Sequence, residues 1–506
     1  MFGYVHSAAI VGIEGYHVQI KADIASGPRD CNVVGLPNGA IRESVIRVQS
    51  AIRNAGYQWP DGHITINLAP AGLKKDGTAF DLPIALAVLV ASEQLDLEPD
   101  QLDRTFFAGE LSLAGDVLPV PGILPRAKLA SDLGAQTLVV PADNAGEASI
   151  IGELEVVPSC NLADAAAWLE GSATVPPCAS PPVIRLPSLP LDLDEVRGQA
   201  ITKRALEIAA AGGHNLLMIG PPGSGKTMLA RRVVTILPPM SFQESLETTK
   251  IHSVAGALPR GASMIQTRPF RAPHFTISSV GLVGGGTSIP RPGELSLAHN
   301  GVLFLDDLPE FSRRVLEVLR GPLEDQFINL TRGTMTVTYP AAVTLIAAMN
   351  PCPCGYQGSS RRRCNCTARM IQRYRGRVSG PMLDQFDIHT VVDEIAYSDL
   401  QGAADGESSE RIRERVVQAR NTQHQRLDSA SIHCNAEMGA AHLRRWCRPD
   451  RDGERLLERC VDVFGMSARS YSRILKVART VADLAGEEEI REEHVAEAIA
   501  LRQLDK

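Results

Sequence analysis

The chain has no apolar run near the roughly 18 residues needed to cross a bilayer as a helix. Its longest, LPIALAVLVA at 82–91, reads as a buried core helix. It also lacks a cationic excess. Lys and Arg number 51 against 58 Asp and Glu, a formal charge of −7, so any nucleic-acid contact must come from local basic patches. The first residues, MFGYVHSAAIVGIEGYHV, have no basic start, continuous apolar stretch or cleavage site, which argues against a secretory signal. No internal repeat or low-complexity tract is found, which excludes solenoid architectures. Ten cysteines in 506 residues are too sparse for a disulfide framework and point to thiols or a metal site. What remains is an expected cytoplasmic, multidomain protein. With 44% hydrophobic and 22% charged residues, it has length for about three domains, each with its own core.

Composition marks the boundaries. Residues 1–171 mix helical stretches with short alternating strands such as HITINLAP (63–70) and TLVVPAD (137–143). Residues 172–196 are proline-rich and read as a semi-rigid linker. From 197 to 397, helices alternate with fully apolar strands: LLMIG (216–220), GVLFLDD (301–307) and AAVTLIAAMN (341–350). Such runs belong to a parallel sheet covered on both faces. A polar patch (398–410) leads into a last region, 398–506, that reads as all helix. The expected fold class is α/β multidomain, with an α+β first domain, a central P-loop parallel-sheet domain and a helical third domain.

The central region carries the chemistry. GPPGSGKT comprises Gly220, Pro221, Pro222, Gly223, Ser224, Gly225, Lys226 and Thr227. It follows an apolar strand and precedes a helical stretch, the context that marks a P-loop. Its glycines let backbone N–H groups wrap the phosphates of ATP, and the helix N-terminus adds its positive end. Lys226 would reach the β- and γ-phosphates and Thr227 would hold Mg²⁺. The second apolar strand delivers Asp306, to hold the metal through water, and Asp307, to orient the attacking water. The third ends in Asn350, whose amide can position that water. Downstream, a helix opening with Ser467 presents Arg469 in its first turns, able to reach back over the nucleotide. Arg473 and Arg479 on the same stretch read more readily as solvated charges.

In this order the elements resemble an AAA+ ATPase. Nearly the whole chain is similar to the magnesium-chelatase-like YifB/ComM family, through EVRGQAITKRALEIAAAGGHNLLMIGPPGSGKT (195–227), RPFRAPHFTIS (268–278), RPGELSLAHNGVLFLDDLPEF (291–311), NPCPCGY (350–356) and RVSGPMLDQFDIH (377–389). The resemblance implies that Lys226 and Thr227 are Walker A, Asp306 is Walker B, Asn350 is sensor 1 and Arg469 is sensor 2. It further implies a hexameric ring acting as a branch-migration helicase on single-stranded and branched DNA during natural transformation. Two departures bear on rate. Asp307 stands where the family usually has Glu, and a displacement near 1 Å can cost on the order of 100-fold. Gln385 stands where a finger-type arginine is usual, and such a finger is worth about 10³–10⁵; Arg375 and Arg377 are the nearby substitutes. Two alternatives stay open: a chelatase-type remodeller of a protein partner, and a nucleotide-gated scaffold with weak hydrolysis.

Residues 1–171 resemble the Lon-type protease fold, through APAGLKKDGTAFDLPIA (69–85) and GELSLAGDVLPVPGILPRAKLA (109–130). A Ser–Lys dyad needs a hydroxyl and a nearby amine. The resemblance places Ala79 and Leu124 at those positions, so this domain is expected to be inactive. Lys74, Lys75 and Lys128 then read as surface charges.

Cys352, Cys354, Cys364 and Cys366, within 352–366, supply four thiolates from two Cys-x-Cys knuckles. That is enough for a closed, structural Zn²⁺ site, with four independent thiols as the alternative. The other six cysteines are scattered. From Arg361 to Arg377 there are seven arginines and no acidic residue. Such a run is either a solvated face or a contact for DNA phosphates. With Tyr356 and Tyr374 alone interleaved, base stacking is not indicated. The glycine-rich 278–288 and the hairpin-like 327–340, with Arg332 near its tip, are candidate loops for a ring's channel.

Overall fold

The computed structural model describes residues 1–97, 100–173, 191–259, 263–286, 289–333, 335–359, 361–394, 406–427, 432–464 and 466–502. Most of the proline-rich linker, with Cys178, and residues 398–405 of the polar patch lie outside them. No helix among the described residues is long and apolar enough to cross a membrane.

The first domain holds β1 (Phe2–Val11), β2 (Glu14–Ala25), β3 (Asp30–Val34), β4 (His63–Ala69), β5 (Thr105–Phe107), the small ladder β6 (Glu110–Leu111) and β7 (Val117–Leu118), then β8 (Thr137–Pro141) and β9 (Glu155–Ser159). Its seven-stranded sheet runs β3-β4-β2-β1-β5-β8-β9. The β1–β2 and β2–β4 pairs are antiparallel and the others parallel. In β4 every second residue is buried (Ile64, Ile66, Leu68), the period-2 pattern of a sheet with one packed face. That face is covered by helix Asp81–Ala91, buried along almost its whole length, as LPIALAVLVA requires. Helix Gly39–Asn54 lies beside it, started by Asn38, whose side chain accepts from Ile41 N at 3.0 Å.

The central domain holds β10 (Leu216–Ile219), β11 (Phe270–Arg271), the short ladder β12 (Gly284–Gly285) and β13 (Arg291–Pro292), β14 (Val302–Leu305), the hairpin β15 (Phe327–Arg332) and β16 (Met335–Pro340), β17 (Thr344–Met349) and β18 (Ile388–Val391). Its main sheet is five-stranded and parallel in the order β11-β14-β17-β10-β18. All residues of β10 and β14 are buried, as strands covered on both faces must be. The hairpin forms as expected, with Arg332 opposite Met335 at its tip. The glycine-rich segment is not simply a loop. Ser278 caps a short helix, Ser279–Val283, and Gly284–Gly285 pair with Arg291–Pro292; residues 287–288 lie outside the described set.

The third domain is mainly helical in its described residues, with Ser409–Leu427, Ala440–Trp446, Arg451–Phe464, Ala468–Ala485 and Glu492–Ala500. It shares one apolar core with the central domain, joining Leu206, Leu216 and Ile388 to Ile474, Val477 and Val481. The end of the expected linker also belongs to that core. Leu193 and Val196 are buried in it, and Asp192 Oδ1 accepts from Ser409 N at 2.7 Å.

The first and central domains meet through helix Phe242–Ala255. Ser241 and Glu244 start this helix with a capping box, and Gly256 (φ 67°) ends it, both ordinary stop-and-start chemistry. On one side Ser253 O accepts from Gly122 N at 3.0 Å, and Ser253 Oγ donates to buried Glu147. Glu147 also accepts from Leu124 N at 2.7 Å. Burial pushes its carboxyl above the usual range despite these donors. Leu246 completes the contact by packing into the core that holds Ile123, Leu124 and Ala148. Glu147→Ala would strand buried donors at this junction. We expect it to lower stability by about 1–3 kcal/mol, read as a shifted denaturant midpoint.

Candidate nucleotide site and cysteine cluster

Strand register builds the site. Ile219, the last residue of β10, pairs with Met349 on one side and Val391 on the other. Gly220 therefore follows beside Asn350 and Val392, and a Cβ at Gly220 would stand 2.4 Å from Val392 O. The chain then turns through Gly223 (φ 79°) and Gly225 (φ 92°), left-handed positions that favour glycine. Helix Lys226–Ile236 starts immediately after.

Lys226, Thr227, Asp306, Asp307 and Asn350, five of the six residues expected at the reaction centre, form one bonded set, its two halves joined by Asp307 N donating to Asp306 Oδ1 at 3.1 Å. Buried Lys226 donates from Nζ to Gly220 O at 2.7 Å, Pro221 O at 2.8 Å and Asn350 Oδ1 at 3.3 Å. Burial lowers its pKa, against the pull of Asp306 and Asp307. Thr227 Oγ1 donates to Asp306 Oδ2 at 2.7 Å, placing two hard oxygen donors together, the chemistry Mg²⁺ takes. Asn350 Nδ2 donates to Asp307 Oδ1 at 3.4 Å. Asp307 sits at φ 53°, a conformation costing about 1–3 kcal/mol for a residue with a Cβ and typical of functional sites. Burial, then the neighbouring Asp306, raises its pKa. Ser224 Oγ is buried without a hydrogen-bond partner, an orphan that an ATP phosphate oxygen would satisfy. Beside Val392, a cleft of about 250 Å³ opens between Gly198–Thr202 and Val391, Asp393 and Glu394.

Arg469 stands outside that set, exposed on the first turn of helix Ala468–Ala485 behind the Ser467 cap. Arg473 and Arg479, read as solvated, are not. Arg473 pairs with Asp387 at 3.1 Å and Arg479 with buried Asp483 at 3.0 Å. Gln385 is also buried, donating to Glu324 at 2.9 Å. Arg377 pairs with Glu310 at 2.8 Å, and Arg375 donates to Pro351 O at 3.3 Å.

Asp387, within DQFDIH (384–389), carries no motif role in the sequence yet is a hub of the fold. Its Oδ2 meets His214 Nδ1 at 3.3 Å, and the other ring nitrogen of His214 meets Thr480 Oγ1 at 2.8 Å. Arg502 donates to Asp387 O at 3.1 Å. These bonds hold the helix bearing Arg469 to the ends of β10 and β18. Burial works to raise the Asp387 pKa, but His214 and Arg473 outweigh it and the carboxyl titrates below its ordinary range. Asp387→Ala leaves buried His214 and half-buried Arg473 without their carboxylate, at a cost of about 3 kcal/mol. In urea unfolding, the gap from the parent protein should be full above about pH 4. It should close as pH falls through the depressed native value.

The four clustered cysteines converge. Cys352 Sγ lies 3.4 Å from Cys354 Sγ and 3.7 Å from Cys364 Sγ, Cys354 and Cys364 are 3.6 Å apart, and all four Sγ fall within 4.8 Å of one another. Four thiolates at about 2.3 Å from zinc would have edges slightly under 4 Å, so the set is capable of holding a metal. The backbone N–H of Tyr356 is the main cause of a Cys354 thiol pushed down to about 6. Of the scattered cysteines, Cys434, Cys447 and Cys460 are buried, Cys31 is half-buried and Cys160 exposed. The seven arginines from Arg361 to Arg377 are all exposed, and Arg362 lies over the Tyr356 ring at 5.1 Å.

Three family models match the chain: magnesium chelatase subunit ChlI over residues 192–400, subunit ChlI of Mg-chelatase over 20–144, and the ChlI C-terminal model over 406–502. An uncharacterized protein YifB of Salmonella typhimurium is 43% identical over 505 residues, covering 99% of this chain and 97% of that protein. The competence protein ComM of Haemophilus influenzae is 41% identical over 505 residues, covering 98% and 97%. The chain belongs to the YifB/ComM family of magnesium-chelatase-like AAA+ ATPases. That membership supports ATPase activity. Lon protease 2 of Bacillus subtilis is 30% identical over 101 residues, 20% of this chain and 17% of that protein. In the first domain Ala79 and Leu124 are buried apolar residues. Lys75, read as a surface charge, is instead buried, donating from Nζ to Gly35 O at 3.0 Å and to Pro70 O. Main-chain carbonyls can replace its water shell, which made burial possible without a carboxylate partner.

Proposed function

We propose that this YifB/ComM-family chain is an ATP-driven ring motor, assembled as a hexamer, that translocates on branched DNA and migrates the junction. The observation carrying this reading is the bonded set of Lys226, Thr227, Asp306, Asp307 and Asn350 at three adjacent strand ends. Lys226 meets the β- and γ-phosphates of ATP in place of the carbonyls it now contacts. Thr227 directly and Asp306 through water would hold Mg²⁺, which when bound would supply positive charge against the phosphates. Asp307, its carboxyl steered by Asn350, orients the attacking water, and Arg469 closes over the nucleotide from the third domain. The cleft along Gly198–Thr202 receives the base. Gln385, buried on Glu324, cannot serve as a finger across a subunit boundary, which leaves Arg375 or Arg377 for that role. The 41% identity to a competence protein supports a task in DNA integration. The first domain, a Lon-type fold without its nucleophile, serves assembly or substrate guidance.

A second reading, remodelling of a protein partner, draws on the magnesium-chelatase family models. ATPase rate with and without forked DNA separates the two. We expect forked and single-stranded DNA to stimulate hydrolysis several-fold and Lys226→Ala to abolish nucleotide binding. A rate indifferent to DNA would favour the protein partner, and tight ATP binding by Lys226→Ala would remove the P-loop assignment.

The exposed arginines give this reading its DNA-facing surface. Arg369 and Arg373 stand one turn apart on helix Ala368–Arg375, with Arg363 just before it. Neutralising all three should lower the slope of log K against log salt by about 0.7 per contact on single strands or 0.9 on duplex. Affinity should weaken alike for every sequence, because phosphate contacts carry no base information. An unchanged slope with intact binding would move DNA contact to the channel loops, Arg332 first.

A further inference from the structure

The cysteine cluster touches the nucleotide site. Gly355, next to Cys354 and buried, has φ 84°, and a Cβ there would stand 2.5 Å from Pro222 Cδ and 2.7 Å from its Cγ. No side chain can occupy that space, so the knuckle's backbone lies flat on the second proline of the P-loop. The turn is short and closed on itself, with Gly355 N donating to Cys352 O at 2.9 Å. Cys352 opens it and Cys354 stands just before its last residue, while Cys364 approaches both sulfurs from the far end of the loop. The same loop reaches the other wall of the site, where Ser359 Oγ donates to Glu394 at 2.9 Å. Glu394 lines the cleft beside Val391.

We propose that the four-cysteine knuckle is a metal-dependent latch on the P-loop. A divalent thiophilic cation such as Zn²⁺, held by Cys352, Cys354, Cys364 and Cys366, fixes Gly355 against Pro222 and sets the affinity for nucleotide. The inference rests on the reading of the cluster as a metal site. Its physical basis is pre-organisation. The P-loop binds phosphate through backbone N–H groups that must already point inward, and a loop free to wander must be ordered on each binding event. With the metal absent, four sulfurs within 4.8 Å lose the charge that draws them together. The knuckle then opens and Pro222 loses its cover.

The test uses the full chain. Zinc content is measured by elemental mass spectrometry. The Kd for a fluorescent ATP analogue is measured in excess Mg²⁺ on protein as purified, on protein stripped by a chelator that is then removed, and on stripped protein given Zn²⁺ back. Stripping should weaken binding about tenfold, the size of one lost phosphate hydrogen bond, and zinc should restore it. Gly355→Ala, which keeps all four sulfurs, should retain zinc yet bind nucleotide about tenfold more weakly. If zinc is present and removable but Kd stays within about twofold, the latch is overturned and the metal site stands. A protein that takes up no zinc even when supplied overturns both. Zinc-loaded Gly355→Ala with normal affinity overturns the contact as the coupling path. Should that variant fail to fold, the stripped and reloaded samples still decide.

Discussion

The pairing of β10 with β17 on one edge and β18 on the other is the constraint on which everything else here depends. Strands of four to six residues have few bonds with which to hold register, yet a slip of one residue would turn every side chain to the opposite face. With Ile219 opposite both Met349 and Val391, the chain leaves the sheet at Gly220, Asn350 and Val392 in one row. β14 adds Asp306 one strand further along, because Leu305 pairs with Ala347. Ligands of open parallel sheets gather at carboxyl ends for this topological reason. The knuckle exploits the same row, since only one residue separates Asn350 from its first cysteine.

Charge is then made safe inside the fold by local arithmetic rather than by solvent. Lys226 is buried, with two carbonyls and an amide around its ammonium and two carboxylates near. Asp387 gathers His214, Arg473 and a carbonyl contact to Arg502 at the seam with the third domain. Asp483 does similar service for Arg426 and Arg479. Such clusters add little net stability over an apolar core, but they are costly to break one member at a time. They fix where helix Ala468–Ala485 sits, and with it the starting point of Arg469.

The strands, the P-loop and the acidic strand end were legible because each is a short-range pattern: apolar runs, glycines before Lys-Thr, a carboxylate pair after a buried strand. The cysteine spacing was legible for the same reason. Buried charge was not. Nothing local distinguishes Lys75 from Lys74, since the carbonyls of Gly35 and Pro70 that accept from it are set by tertiary packing. Arg473 and Arg479 lie on a helix whose pattern shows which face is apolar, but their partner carboxylates come from elsewhere in the fold or a turn away. The junction at Glu147 and Ser253 was equally silent, as was the place of residues 191–196 in the central core. Gly355 left a faint sign, a glycine directly after Cys-x-Cys, but its neighbour Pro222 lies 133 residues away and meets it only in the folded chain.

Helix Phe242–Ala255 is a wall shared by two rooms. One side carries the bonds to Gly122 and Glu147 of the first domain. The other braces the approach to β14: His252 meets Leu297 O at 2.9 Å, His299 meets Glu247 at 3.0 Å, and Arg268 ties Glu244 to Asn300 O. A pull on the first domain along this helix therefore reaches, through these bonds, the segment that leads into Asp306 and Asp307. In mechanical terms the first domain is a handle whose load path runs through this helix to the turn that feeds the strand carrying the carboxylates.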